Sequence, residues 1–402
     1  MKVAEAVVIG GGVIGCSVLY HLASEGIKGI LLEADELSSG TSGKCDGNIQ
    51  IGDSAPGFDS DFVRLGQSMF NTIGRELGCD VGYRQEASLM VFESSEELEE
   101  GGRFVQEQKK NGLAIRFLDS RQVHECEPEL ADDILGGFLV ESDGRVNPML
   151  LTFGLAGRAQ NLGSCVMEHS RVQSIEKDRR QDVFRIKTRD EEYVTPIVVN
   201  AAGAGAARVG DMVGIHIPIV PRQGQILVSE VTDPLVHRTV TEFGYLMTKF
   251  SKKSYRRNVT EDIERFGVAM VVEPTEAGNF LVGSSRAFVG DAVRSDYRIM
   301  RALASRAMRF FPKLKNIHII RSYSGLRPFT DDHRAIISET GEKGFYIAAG
   351  HEGGGITQSL VTGRLMTEII LGKTPCIHAE PLRLDRFGKS ERMSAPRKGR
   401  IV

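Results

Sequence analysis

At 402 residues the chain is too long for one simple core and suits two domains. It is 41% hydrophobic and 26% charged with a formal net charge of −3, a balance that gives no reason to expect nucleic acid or an anionic membrane as partner. Its six cysteines are scattered without a C-x-x-C pair, which argues against zinc or an iron–sulfur cluster and suits reduced thiols in the cytoplasm.

Met1-Lys2 leads straight into an apolar strand, Ala6-Val7-Val8-Ile9, so no signal peptide is expected. Nor does any apolar run approach the ~20 residues that span a bilayer. The strand is of the kind buried in a parallel sheet. It breaks at Gly10-Gly11-Gly12-Val13-Ile14-Gly15, a G-x-G-x-x-G turn that opens a helix with Cys16, Leu19, Leu22 and Ala23 inward and a stop at Gly26. A second strand, Gly29-Ile30-Leu31-Leu32, ends at Glu33-Ala34. Gly10 allows the tight turn, Gly12 lets backbone approach a pyrophosphate, and Gly15 lets helix and strand pack closely. The helix start at Val13 and Ile14 offers free N–H groups to phosphate. Glu33, 23 positions after Gly10, is placed to bind an adenosine ribose and to repel a 2′-phosphate. Loop 37–48 follows, with Ser39, Gly40, Thr41, Ser42, Lys44, Cys45, Gly47 and Asn48, small and polar residues that let the chain pass close to a ligand and supply donors.

Residues 53–82 read as a helix with Phe62, Leu65, Met69, Ile73 and Leu77 in one stripe. A strand follows at 87–92, then a charged helix over 94–111 with a capping start at Ser94. Asn147 or Asp143 caps a helix from Pro148 to Asn161, with Leu150, Leu151, Leu155 and Ala156 inward. Two strands are read at 165–168 and 172–175, and an alternating hairpin strand at 184–188. The run Ile197-Val198-Val199-Asn200-Ala201-Ala202-Gly203-Ala204 is a buried strand breaking into small residues where bulk would strike a dinucleotide. Antiparallel strands are expected at 225–229, 240–249, 267–272 and 279–282, and a helix at 291–311. The cluster Lys252-Lys253-Ser254-Tyr255-Arg256-Arg257 reads as a solvated loop, or else as a lid or docking surface. The basic tail 389–402 reads as flexible or ordered only on a partner.

The opening unit and loop 37–48, Ile197 to Ala204, Pro218-Ile219-Val220-Pro221-Arg222-Gln223-Gly224-Gln225 and Gly325-Leu326-Arg327-Pro328-Phe329-Thr330-Asp331-Asp332 together resemble the D-amino-acid oxidase superfamily, which includes glycine and sarcosine oxidases. The resemblance runs along nearly the whole chain. It implies an α/β fold in which a Rossmann-like FAD-binding domain (1–85, 144–220 and 322–388) interleaves with an antiparallel-sheet, α+β substrate domain (86–143 and 221–321). It assigns Val172 to the adenine, and Ala201, Ala202 and Gly203 to the dinucleotide. Gly353, Gly354, Gly355, Ile356 and Thr357 fall at a helix N-terminus facing the flavin ring. Arg327 falls on the substrate carboxylate, where a planar guanidinium makes two parallel bonds that lysine cannot copy. His351 either lines the substrate pocket or packs structurally, and Cys45 either lines the flavin face or is an inert thiol.

Departures from the family pattern carry their own expectations. Gly205 replaces the usual aromatic, and the basic residue of the Pro218 stretch comes one place early at Arg222. Gly353 stands where glycine oxidase has Arg. Ser324 and Gly325 occupy the region of the covalent-flavin cysteine, so FAD is expected to be non-covalent. Asn48 replaces the sarcosine-oxidase Arg near the flavin. The look is nearest to catalytic subunits of D-hydroxyproline, proline and opine dehydrogenases and of hydrogen cyanide synthase. That implies oxidation of an amino or imino acid C–N bond, with electrons passed to partner subunits. The alternatives are a stand-alone oxidase that makes hydrogen peroxide and a flavin-binding subunit without turnover. Substrate choice is expected to rest on loops carrying Tyr245, Tyr255 and Met270.

Overall fold

The computed structural model describes residues 1–250, 255, 257–291 and 293–388. Lys252, Lys253, Ser254 and Arg256 of the basic cluster, and the 389–402 tail, lie outside the described residues.

Among the described residues, one sheet of six strands runs in the order Cys165–Met167, Gly29–Leu32, Ala6–Ile9, Val198–Asn200, Phe345–Ala349, Ile336–Glu339. Every pair is parallel except the last. Ala6–Ile9 sits in the middle with all four residues buried, as an unbroken apolar run requires when both faces of a sheet are covered. The helix Val13–Ser24 packs against Pro148–Asn161 and Gly355–Ile370. Its crossing with the latter is close, since a Cβ on Gly363 would lie 2.3 Å from Ser17 Oγ.

A second sheet has eight strands among the described residues: Ile319–Phe329, Val220–Ser229, Phe280–Gly283, Val271–Pro274, Val240–Glu242, Ser88–Phe92, Gly136–Val140 and Ile115–Asp119. The expectation of an antiparallel sheet needs one correction: Val240–Glu242 runs parallel to Ser88–Phe92, so the sheet is mixed. Ile299, Leu303 and Phe310 of the helix Tyr297–Phe310 fill the core on one of its faces.

Four further expectations change. The strand read at 240–249 ends at Glu242 and becomes the helix Phe243–Phe250, because Phe243, Leu246 and Met247 bury a helical stripe. The helix read from 291 starts at Tyr297, where Asp296 accepts the Arg298 N–H at 2.7 Å. Asn147 caps Pro148–Asn161 as expected, but the phase it sets leaves Leu150 45% exposed while Leu151, Leu155 and Ala156 are buried. In the basic cluster, Tyr255 and Arg257 are not solvated. Tyr255 donates to Glu97, and Arg257 pairs with Glu242 and donates to the Val268 carbonyl at 2.8 Å.

The strands Val220–Ser229 and Ile319–Phe329 hold one register from Val220↔Phe329 to Val228↔Arg321. That register sets Arg222 opposite Arg327 and Gly224 opposite Gly325.

Candidate active site

At the end of Ala6–Ile9 the chain turns through Gly10 at φ +115°. A Cβ there would lie 2.5 Å from the Ala201 carbonyl oxygen, and one on Gly15 would lie 1.9 Å from the carbonyl oxygen of Gly10. Neither position admits a side chain. The Val13 N–H donates to Ser42 Oγ at 3.0 Å, and the first intrahelical bond runs from Cys16 N–H to the Gly12 carbonyl at 3.0 Å. Glu33 braces the turn, accepting from Gly11 N–H at 2.6 Å and from Asp35 N–H at 2.8 Å.

These groups open onto a cavity of about 1110 Å³. That exceeds the roughly 300–1,000 Å³ typical of small-ligand sites and suits a dinucleotide with a small molecule beyond it. Every residue singled out above for a cofactor, and both candidate catalytic residues, line this cavity except Gly15 and Gly47. Gly15 stands behind Gly10. Gly47 is held from behind, its N–H donating to both oxygens of the buried Glu273 at 3.1 Å each. Burial, with the charge of Asp46 added, pushes the Glu273 carboxyl up to about 8.

Several hydroxyls expected to face a ligand are partly spent on the protein. Thr41 Oγ1 donates to the Leu326 carbonyl at 2.6 Å, tying loop 37–48 to the strand that carries Arg327. Ser42 is taken by Val13, as above. Asn48 Oδ1 accepts from Thr239 at 2.8 Å. Cys45 Sγ contacts the Ser42 carbonyl at 3.4 Å, and burial raises its thiol well above the usual range, which describes an unreactive group.

Beyond the glycines the cavity is lined by arginines. Arg327 lies across the neighbouring strand, and only glycine leaves room for it: a Cβ on Gly224 would sit 2.0 Å from Nη1. Nη1 donates to the Ser285 carbonyl at 2.8 Å, which fixes the plane of the guanidinium. A Cβ on Gly353 would stand 3.8 Å from Arg327 Nε, so the absence of a side chain there leaves this edge of the fork open. Arg222 is buried and paired with Glu352, which also contacts His333 Nδ1 at 2.9 Å. Glu352 itself holds φ at +51°, in the left-handed region. Burial lowers Arg222 to about 9, with the charges of Arg286 and Arg327 adding to the effect. Arg286 lies 3.5 Å over the ring of Tyr245 and donates to the Gly267 carbonyl at 3.2 Å. Arg286 and the Arg222–Glu352 pair escape sequence reasoning, since single charged residues after a strand or a glycine carry no spacing signal.

His351 reaches the cavity wall, but it is buried and its Nε2 meets Thr362 Oγ1 at 2.9 Å. Burial drops its imidazole to about 3, so it is neutral at ordinary pH and seats the helix Gly355–Ile370.

The bare glycine turn, the close backbone of Ala201 and the cavity volume together fit a bound dinucleotide. A family model described as FAD dependent oxidoreductase matches residues 5–369. Glycine oxidase of Geobacillus kaustophilus (strain HTA426) is 26% identical over 95% of this chain and 97% of its own. An opine oxidase subunit of Rhizobium meliloti is 27% identical over 88% of this chain and 90% of its own. The crystal structure of glycine oxidase from Geobacillus kaustophilus superposes with a TM-score of 0.85 at 24% identity, covering 96% of this chain and 99% of that one. L-proline dehydrogenase from P.horikoshii gives 0.83 at 23%, covering 96% and 98%. The chain belongs to the FAD dependent oxidoreductase family.

Proposed function

We propose that this member of the family oxidises the C–N bond of a small amino or imino acid and passes the electrons on as a dehydrogenase. The carrying observation is Arg327, which lines the cavity with its plane fixed by Ser285 and, among the described residues, forms no ion pair. The glycine turn, loop 37–48 and the start of Gly355–Ile370 would hold FAD non-covalently, and the group would supply the hydride acceptor. The chain's own task is positioning. Arg327 holds the substrate carboxylate by two parallel bonds and so fixes the α-hydrogen in one direction. Arg286 and Arg327, cavity cations without an ion pair among the described residues, disfavour an ammonium beside them and favour the neutral amine, the form that can release hydride. His351 transfers no proton in this scheme and acts as a positioning residue.

Similarity to a subunit of opine oxidase supports transfer of electrons to a partner. Similarity to glycine oxidase supports a second reading, a stand-alone oxidase. An anaerobic visible spectrum titrated with proline, D-hydroxyproline, glycine, sarcosine and D-alanine tests the scheme, followed by reoxidation with air or an artificial dye. Bleaching by one of them, with dye reoxidation much faster than air, is the expected result. Fast reoxidation by air would establish the oxidase instead. Arg327→Ala is expected to slow reduction by about 100-fold with FAD content unchanged; an unaltered rate would remove the carboxylate anchor.

A further inference from the structure

The molecule neutralises the arginines it buries elsewhere. Arg222 pairs with Glu352, Arg257 with Glu242, and Arg306 with Glu93 and Glu242. Two arginines break that pattern. Among the described residues neither Arg286 nor Arg327 forms an ion pair with an acid, and both line the cavity. Arg286 rests on neutral groups, the Tyr245 ring and the Gly267 carbonyl. Arg327 rests on the carbonyl of Ser285, the residue immediately before Arg286. Both guanidinium groups line one cavity, and the charge of Arg327 acts on Arg286.

This interaction has an electrostatic cost. Burial lowers the Arg286 pKa, and after the opposing influence of Tyr245 the charge of Arg327 lowers it further; Asp53 offsets this only weakly. One carboxylate on Arg327 would leave the second cation uncompensated in a partly desolvated place. Two carboxylates would satisfy both. The open edge at Gly353 leaves space beside Arg327 for a ligand longer than glycine.

We infer that the substrate is a dicarboxylic amine, with one carboxylate on Arg327 beside the bond to be oxidised and a second on Arg286. This rests on the C–N oxidation proposed above and names its substrate class. In the reaction the carbon bearing the first carboxylate loses a hydride to FAD and the nitrogen loses a proton to water. The resulting imine takes up water and splits into a 2-oxo acid and an amine, with FAD reduced by two electrons. The second carboxylate is carried either by the nitrogen substituent or by the carbon chain, and the same experiment separates the two.

The test uses the FAD-loaded protein and ligands without an oxidisable amine, read by calorimetry and by perturbation of the flavin spectrum. Oxydiacetate places two carboxylates across an ether in the position of a secondary amine, and succinate places them on a carbon chain. Methoxyacetate and propionate are their one-carboxylate counterparts. One dianion is expected to bind about 10- to 100-fold tighter than its counterpart, the worth of one charge-assisted pair. A preference for oxydiacetate assigns the second arm to nitrogen, and one for succinate assigns it to carbon. Arg286→Gln should bring the dianion down to the affinity of its counterpart, and Arg286→Lys should keep part of the advantage. Equal binding of dianion and monoanion by the unaltered protein overturns the inference whether or not the variants fold. So does an advantage that survives Arg286→Gln. If methoxyacetate and propionate bind equally well to the protein and to Arg327→Ala, it is the carboxylate anchor itself that fails.

Discussion

At the glycine-turn end of the cavity, the wall is made by backbone that missing side chains leave bare. At the other end it is made by long side chains reaching from three separate stretches of chain. Gly10, Gly12 and Gly15 fall within six consecutive residues, and their geometry follows from the strand before them and the helix after. Arg222, Arg286 and Arg327 are brought together only by the mixed sheet. At the first end, Gly10 and Gly15 tolerate no added atom. The second is held by an ion pair and ring contacts.

The severest test of this contrast lies at the first end. Gly15→Ala puts a methyl group where the Gly10 carbonyl oxygen lies 1.9 Å away, so strand and helix must part. The expected cost is at least about 4 kcal/mol with loss of bound FAD, read from the visible spectrum and thermal melting. A variant that still bound FAD normally would show the cradle to be deformable after all. At the second end the largest effect belongs to Glu352→Gln. It strands the buried Arg222 without its counter-ion and should cost about 3–5 kcal/mol in denaturant unfolding.

Glu273 gives a pH signature between the two ends. Its carboxyl is raised from an ordinary 4.5 to about 8, so across that window the folded protein keeps a proton that the unfolded chain has released. The contribution of this group to stability therefore falls as pH rises from 4.5 toward 8. Glu273→Gln should flatten this slope, a relative gain on the order of 3 kcal/mol at pH 8 over pH 5 in unfolding experiments. An unchanged slope would mean that another group titrates. The smallest effect is expected from Cys45→Ala, because the thiol is buried, neutral and bonded only to a carbonyl. Flavin reduction should change by less than about 3-fold, the scale of a small core change, and acid should release all the flavin before and after the substitution.

The same contrast explains what can be read without coordinates. The glycine turn, Glu33, the small residues after Val198–Asn200 and the caps at Ser94 and Asn147 are local devices, and each is legible from its neighbours. Arg327 is found only because the residues around it carry a recognisable pattern. Arg286 and Glu352 have no such surroundings, and their meaning appears when strands far apart in sequence are laid side by side. The misread segments fail for a related reason. Phe243, Leu246 and Met247 suit a strand or a helix by composition, and packing against the sheet's aromatic cluster decides for helix. Glu33 shows a subtler gap: its position is legible, yet its carboxylate also braces Gly11, a bond no spacing rule announces.

The pairing of Val220–Ser229 with Ile319–Phe329 has a consequence for how such a chain can diversify. Arg222 and Arg327 are 105 residues apart in sequence, yet the only shift in register between their strands falls at Val228 and Ser229, away from both. A change of length in the intervening segment would fall there or in the loops beyond, outside the paired stretch. The segment between the strands can thus change in length without moving Arg222 from its place opposite Arg327, so long as the pairing itself is kept.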